Sequence, residues 1–146
     1  MSELIDILGE PRCVTGRNKE FKDYKEMICE KYNISPEKFL TVDYYWDDLG
    51  LMATTQDSKS VNCFWIKIGN TRKYPMEMTK YNFSGQLFIN KRPWQEVVEE
   101  KGGRNHSFVI KLGKLHAFVV RYGTKAKDVK QFQVTLNDGE KFKPFD

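Results

Sequence analysis

The chain has 146 residues, of which 40% are hydrophobic and 14% aromatic, a composition that supplies a packed core and excludes global disorder. Its length predicts one domain spanning residues 1–146, and no apolar run approaches the ~18 residues that a membrane-spanning helix needs. The 24 lysines and arginines outnumber the 20 aspartates and glutamates, for a formal net charge of +4.

This small net charge hides a division along the chain. Residues 1–58 carry 7 basic and 12 acidic side chains, whereas residues 59–130 carry 15 basic and 5 acidic ones. Three cysteines at irregular spacing (Cys13, Cys29 and Cys63) and an N-terminus without a basic leader favour free thiols in a soluble, cytoplasmic protein. The basic segment points to an anionic partner.

The acidic part is predicted to form a helical hairpin. Apolar residues fall on one stripe between Asn18 and Tyr32, which predicts an amphipathic helix. Ser35 and Pro36 are typical of the start of a second helix that runs to about Val42. The polar stretch 54–60 then separates this part from the basic one.

The basic part is predicted to be rich in strands. The patterns indicate a strand at Val61–Ile68 with a partner at Thr71–Met78, a short strand at Leu87–Ile89, a helix at Pro93–Glu100, a hairpin of Ser107–Leu112 and Leu115–Tyr122, and a last hairpin in which Val134 faces Phe142. The predicted fold class is therefore α+β: an N-terminal helical hairpin packed on a mostly antiparallel twisted sheet with one short inserted helix.

The register of the hairpin around Gly113-Lys114 separates the two histidines. A two-residue turn pairs Lys111 with His116 on one side of the hairpin. It places His106 and Arg121 on the opposite, more apolar side, at the end away from the turn. His106 and His116 then point to opposite sides of the sheet, which disfavours a two-histidine acid–base pair.

No catalytic or cofactor motif stands out. Neither a glycine-rich phosphate loop nor metal-ligand spacing occurs, so no cofactor and no metal are expected. If the protein were an enzyme, a metal-independent ribonuclease or toxin-like activity would use a single histidine beside a cation, with the candidates His106, His116 and Arg121.

The stronger signal is the combination of cations and aromatic side chains, which suits RNA or single-stranded DNA. The predicted partner-binding residues are Trp65, Lys67, Arg72, Lys73, Lys91, Arg92, Trp94, Lys111, Lys114, His116, Arg121 and Tyr122. The same segment also contains Arg104, Lys125, Lys127 and Lys130.

These features favour a small non-enzymatic binding or inhibitor-type protein that engages nucleic acid or the acidic surface of a nucleoprotein. Small size and many aromatics also suit a protein of a virus or mobile element. The alternatives are the ribonuclease-like enzyme and an adaptor that binds a protein partner through the acidic helices.

Overall fold

The computed structural model describes residues 1–15, 30, 33, 42–55, 60–70 and 79–136. The described elements are α1 (Ser2–Leu8), β1 (Arg12–Thr15), β2 (Val42–Trp46), β3 (Leu51–Thr55), β4 (Val61–Lys67), β5 (Phe88–Ile89), β6 (Arg92–Pro93), α2 (Trp94–Gly102), β7 (Ser107–Leu112), β8 (Leu115–Arg121) and β9 (Val129–Leu136). Single 3₁₀ turns lie at Asp47–Leu49 and Ala126–Asp128. Neither described helix is long and apolar enough to cross a bilayer.

Seven strands form one antiparallel sheet in the order β1-β2-β3-β4-β9-β8-β7, and β5 pairs with β6 separately. The last described strand, β9, therefore lies inside the sheet, paired with β4 on one side and β8 on the other. The strands β1 and β7 form the two edges.

The predicted N-terminal helical hairpin is wrong. The described N-terminal helix is a single short one, α1, and the described part of the acidic segment otherwise contributes β1, β2 and β3 to the sheet. The sequence predicts that the second helix ends at about Val42, but in the structure Val42 begins β2. Most of the proposed hairpin, like the strand 71–78 and the Phe142 pairing, falls outside the described residues.

The chain turns from β2 into β3 through a 3₁₀ turn that ends at Gly50. This glycine has a φ of 66°, and a Cβ atom there would lie 2.5 Å from the backbone nitrogen of Phe83. Both the left-handed backbone and the close approach of a neighbouring segment require glycine. The turn at residues 47–50 therefore depends on glycine at position 50.

Both described helices pack on one side of the sheet, which we call the helix face. Leu4 and Ile5 of α1 and the buried Val97 and Val98 of α2 contact a core that the sheet strands complete with residues such as Phe132. On the other side, the far face, Tyr45 and Met52 form a smaller buried cluster with Trp65.

The predicted β7–β8 hairpin is confirmed with its register. Leu112 pairs with Leu115 and Lys111 with His116. Ile110 and Ala117, on the predicted apolar side, are buried in the core, whereas Val109 on the other side is 46% exposed. The predicted helix at 93–100 is observed as α2.

Candidate binding surface

Arg121 is a buried structural cation. It is 1% exposed, its Nε donates to the Asn105 carbonyl at 2.8 Å, and its Nη2 donates to the Gly103 carbonyl at 2.9 Å. The guanidinium carbon lies 4.9 Å from the centre of the Phe108 ring. Arg121 therefore fixes the loop that follows α2 and presents no charge at the surface.

Lys67 is buried as well. Its side chain is on the far face, and its Nζ donates to the Thr79 carbonyl at 2.9 Å with 6% of the residue exposed. Lys111 has a similar local sequence, since both lysines follow an isoleucine and precede an apolar residue and a glycine, yet Lys111 is exposed. The two lysines have similar local sequences but differ in exposure, because Lys67 is buried and Lys111 is not.

The predicted residues around β6 lie on the helix-face side. The Trp94 ring contacts the Phe132 ring edge-on at 5.5 Å between centroids. The Arg92 guanidinium lies 2.8 Å from a Glu100 carboxylate oxygen, and this hydrogen bond lowers the pKa of Glu100. Lys91 is exposed in the β5–β6 turn. This group is therefore separated from the far face by the thickness of the sheet.

Predicted residues of the β7–β8 hairpin do come together. Lys111 and His116 are cross-strand neighbours on the far face, and Lys114 is exposed in the turn between their strands. Along β8 the same face continues with the half-buried Phe118, and Tyr122 follows the strand with 49% exposure.

A second group of cations follows Tyr122 in the chain, in and beside the 3₁₀ turn Ala126–Asp128. The Tyr122 N–H donates to the Asp128 carbonyl at 3.0 Å, and the Lys130 Nζ lies 5.8 Å from the centre of the tyrosine ring. The Asp128 carboxylate accepts the Lys125 N–H at 3.0 Å, so this acid is engaged with the backbone. Lys127, beside it, is exposed.

We refer to the two groups together as the β8 strip: Lys111, Lys114, His116, Phe118, Tyr122, Lys125, Lys127 and Lys130. At about 3.3 Å per residue, β8 separates the groups by roughly 20 Å. Asp128 is the one acidic residue between positions 101 and 136, and the Glu99 carboxylate of α2 also reaches this end of the strip, where it accepts the Ala126 N–H at 2.7 Å.

Lys125, Lys127 and Lys130 are members that the predicted binding set omitted. The sequence feature that could have identified them is the run Lys125-Ala-Lys127-Asp-Val-Lys130, in which three cations lie close to a single acid. The sequence did not reveal that the 3₁₀ turn would bring this run against Tyr122.

Trp65 lies on the far face in the same cross-strand row as Phe118, with Gln133 between them. It is half-buried and packs on Tyr45 and Met52. Arg72 and Lys73 fall outside the described residues.

The histidines are not brought together. His106 is exposed before β7, and its carbonyl accepts the Arg121 N–H at 3.0 Å, whereas His116 lies near the other end of the hairpin. Arg121 is on the helix face, away from His116. A shared catalytic site of the three candidates has no support in this geometry.

Cys63 does not provide a nucleophile. Burial raises the pKa of this thiol to about 12, so it stays protonated and unreactive near neutral pH. Within the described parts of the chain, no group of three histidine, cysteine, aspartate or glutamate side chains is arranged to hold a metal ion. The other described cysteine, Cys13, is exposed.

A family model described as Domain of unknown function (DUF7738) matches residues 1–104. Because this match covers more than half of the 146 residues, the chain belongs to that family. No curated protein and no solved structure matches the chain. The β8 strip lies beyond the matched residues, so any function argued for it rests on the geometry of this chain.

Proposed function

We propose that this member of the DUF7738 family binds single-stranded nucleic acid along the β8 strip and acts by occluding it, without catalysis. The observation that carries the proposal is the placement of exposed lysines at both ends of a strand whose far face presents Phe118 and Tyr122. A cytoplasmic, inhibitor-type role in a virus or mobile element remains part of this proposal.

Charge supports an extended anionic ligand. Ammonium groups spaced along a surface can neutralise successive phosphates of a nucleic-acid backbone. The strip supplies Lys111 and Lys114 at one end and Lys125 and Lys127 at the other, all exposed. The roughly 20 Å between them suits a strand of several nucleotides better than a small anion.

The aromatic side chains support an unpaired strand in preference to a duplex. Bases that are not stacked within a helix can stack on aromatic rings, and Tyr122 is 49% exposed with Lys130 beside it. Among the described residues, the β8 strip is built from strands, a hairpin turn and a 3₁₀ turn, so it offers no α-helix for the major groove of a duplex.

The test is a titration of fluorescein-labelled single-stranded RNA and DNA oligonucleotides by fluorescence anisotropy at several salt concentrations. The double variant Lys125→Gln/Lys127→Gln should weaken binding and reduce the slope of log K against log salt by about 1.4, or ~0.7 for each lost phosphate contact. Tyr122→Ala should lower the affinity about tenfold through lost stacking.

A matched control removes two positive charges from positions outside the β8 strip. Lys80 and Lys91 are exposed and outside the β8 strip, so Lys80→Gln/Lys91→Gln should keep the parental salt slope. Absence of binding at low salt refutes the proposal, and equal loss in the control places the contact elsewhere. Cleavage of the RNA in EDTA would favour the ribonuclease-like alternative.

A further inference from the structure

The strand β7, whose one charged residue is Lys111, is an edge of the described sheet. It has six residues, contains no proline and pairs with β8 without a bulge. In the part of the chain that the structure describes, no strand pairs with its other side. Exposed edges of this kind normally carry protective features because their free N–H and C=O groups accept another strand.

The other edge carries such features. The strand β1 has only four residues and follows Pro11, and its Arg12 side chain is held by Asp47 at 2.7 Å. A short strand beside proline and a charged pair resists strand addition. The contrast singles out β7 as the edge that is open to a partner.

The hairpin register shows which backbone groups of β7 point outward. The Arg121 N–H donates to the His106 carbonyl, which makes their pair a hydrogen-bonded one. Because such pairs alternate along antiparallel strands, the even-numbered residues of β7 face β8. Ser107, Val109 and Lys111 therefore direct their N–H and C=O groups away from the sheet, and all three residues are exposed.

We propose that β7 pairs antiparallel with β7 of a second copy of the chain, about a two-fold axis at Val109. This register pairs Val109 with its own counterpart and Ser107 with Lys111 in both directions. It is the one two-fold register that matches all three outward-facing residues with one another, so every outward N–H and C=O of β7 gains a partner.

The side chains agree with this register. Val109, 46% exposed in the single chain, would meet a second valine, and Phe108 would lie across from Ile110 on the helix face. A two-fold axis at Lys111 would instead oppose two ammonium groups, which is unfavourable for directly facing residues. The isologous pairing also closes the assembly at two copies. It does not depend on the proposed nucleic-acid binding.

The test is sedimentation equilibrium of the full chain over a wide concentration range. We expect the mass to rise from 17.2 kDa toward twice that value. Val109→Lys should raise the dissociation constant of the dimer by about tenfold or more, since two ammonium groups then face each other. Val109→Pro should have the same effect because it removes an outward N–H that β8 does not use.

Ile7→Lys is the matched control, because Ile7 is 78% exposed on α1, away from this edge. The control should dimerise as the parent does, and near-UV circular dichroism should show native packing in each variant. A parental chain that stays at 17.2 kDa, or a Val109→Lys variant that dimerises normally, overturns the proposal. Should the proline variant fail to fold, the lysine variant decides.

Discussion

Arg121 and Gly102 depend on each other. The guanidinium occupies the space beside the last residue of α2, so a Cβ atom on Gly102 would lie 2.5 Å from Arg121 Nη2 and 2.7 Å from Phe108 Cε1. Hydrogen bonds from a charged donor contribute about 1.5–3 kcal/mol each, which keeps the guanidinium in place. The helix therefore ends on a residue without a side chain because a buried cation fills that position.

Gly102→Ala should destabilise the protein by about 1–3 kcal/mol through overpacking, even though alanine is favoured over glycine in helices by about 1 kcal/mol. Urea unfolding followed by circular dichroism measures the change. Lys101→Ala, at the exposed neighbouring position, serves as the control and should stay within about 0.5 kcal/mol of the parent. A stabilised Gly102→Ala variant would show that Arg121 moves aside at little cost.

At the scale of elements, an ion pair fastens β1 to the turn between β2 and β3. Arg12 Nε and Nη2 donate to the two carboxylate oxygens of Asp47 at 2.7 and 3.0 Å, and the guanidinium lies 4.5 Å from the centre of the Tyr45 ring. The hydrogen bond from Arg12 lowers the pKa of Asp47. This bidentate geometry stabilises an edge strand that is only four residues long.

Because the Asp47 pKa is lowered in the folded protein, its stabilisation is present above 3.8, the ordinary value, and is lost as the pH falls through the lower folded value. Asp47→Asn should cost about 0.5–1 kcal/mol near neutral pH, a small figure because the pair is partly solvated. The difference from the parent should vanish in strong acid. Urea unfolding at both pH values checks this, with Asp48→Asn, a substitution at an exposed neighbouring residue, as the matched control.

At the scale of the whole molecule, the family match covers residues 1–104, whereas the sheet also includes strands that follow residue 104. The match ends at Arg104, yet β9 pairs with β4, and β8 and β7 complete the sheet beyond β9. Core residues such as Val119 and Phe132, buried to 0% and 2% exposure, come from these later strands. Residues 1–104 alone would leave β4 as an open edge and the apolar side of α2 uncovered.

A fragment of residues 1–104 should therefore lack a cooperative thermal transition and a near-UV circular dichroism signal. Adding a fragment of residues 105–146 should restore the signal, since the missing strands then pair with β4 and cover α2. The full chain is the reference. Cooperative unfolding of the 1–104 fragment by itself would contradict this account of the core.

The sequence predicted local features well and long-range ones poorly. The hairpin at Gly113-Lys114 was predicted with its register because alternation and a two-residue turn are local signals. β2 was missed because all five of its residues are buried, which removes the alternation that marks a strand with one solvent-facing side.

The candidate site was predicted only in part, because the sequence does not show which of its cations are buried. Lys67 and Arg121 were read as surface cations, although the predicted register already placed Arg121 on the apolar side of the hairpin. Lys111, Lys114 and Tyr122 are exposed as the binding prediction requires. Binding by these residues stays a prediction.

The position of β9 inside the sheet has a consequence for synthesis. A ribosome produces β1 to β4 first, but β4 receives its second neighbour only after residues 129–136 have left the exit tunnel. During that interval one edge of β4 has no strand partner, and long-range strand pairing of this kind is slow. The nascent chain therefore passes through a stage in which chaperones that bind extended apolar segments have β4 as a target.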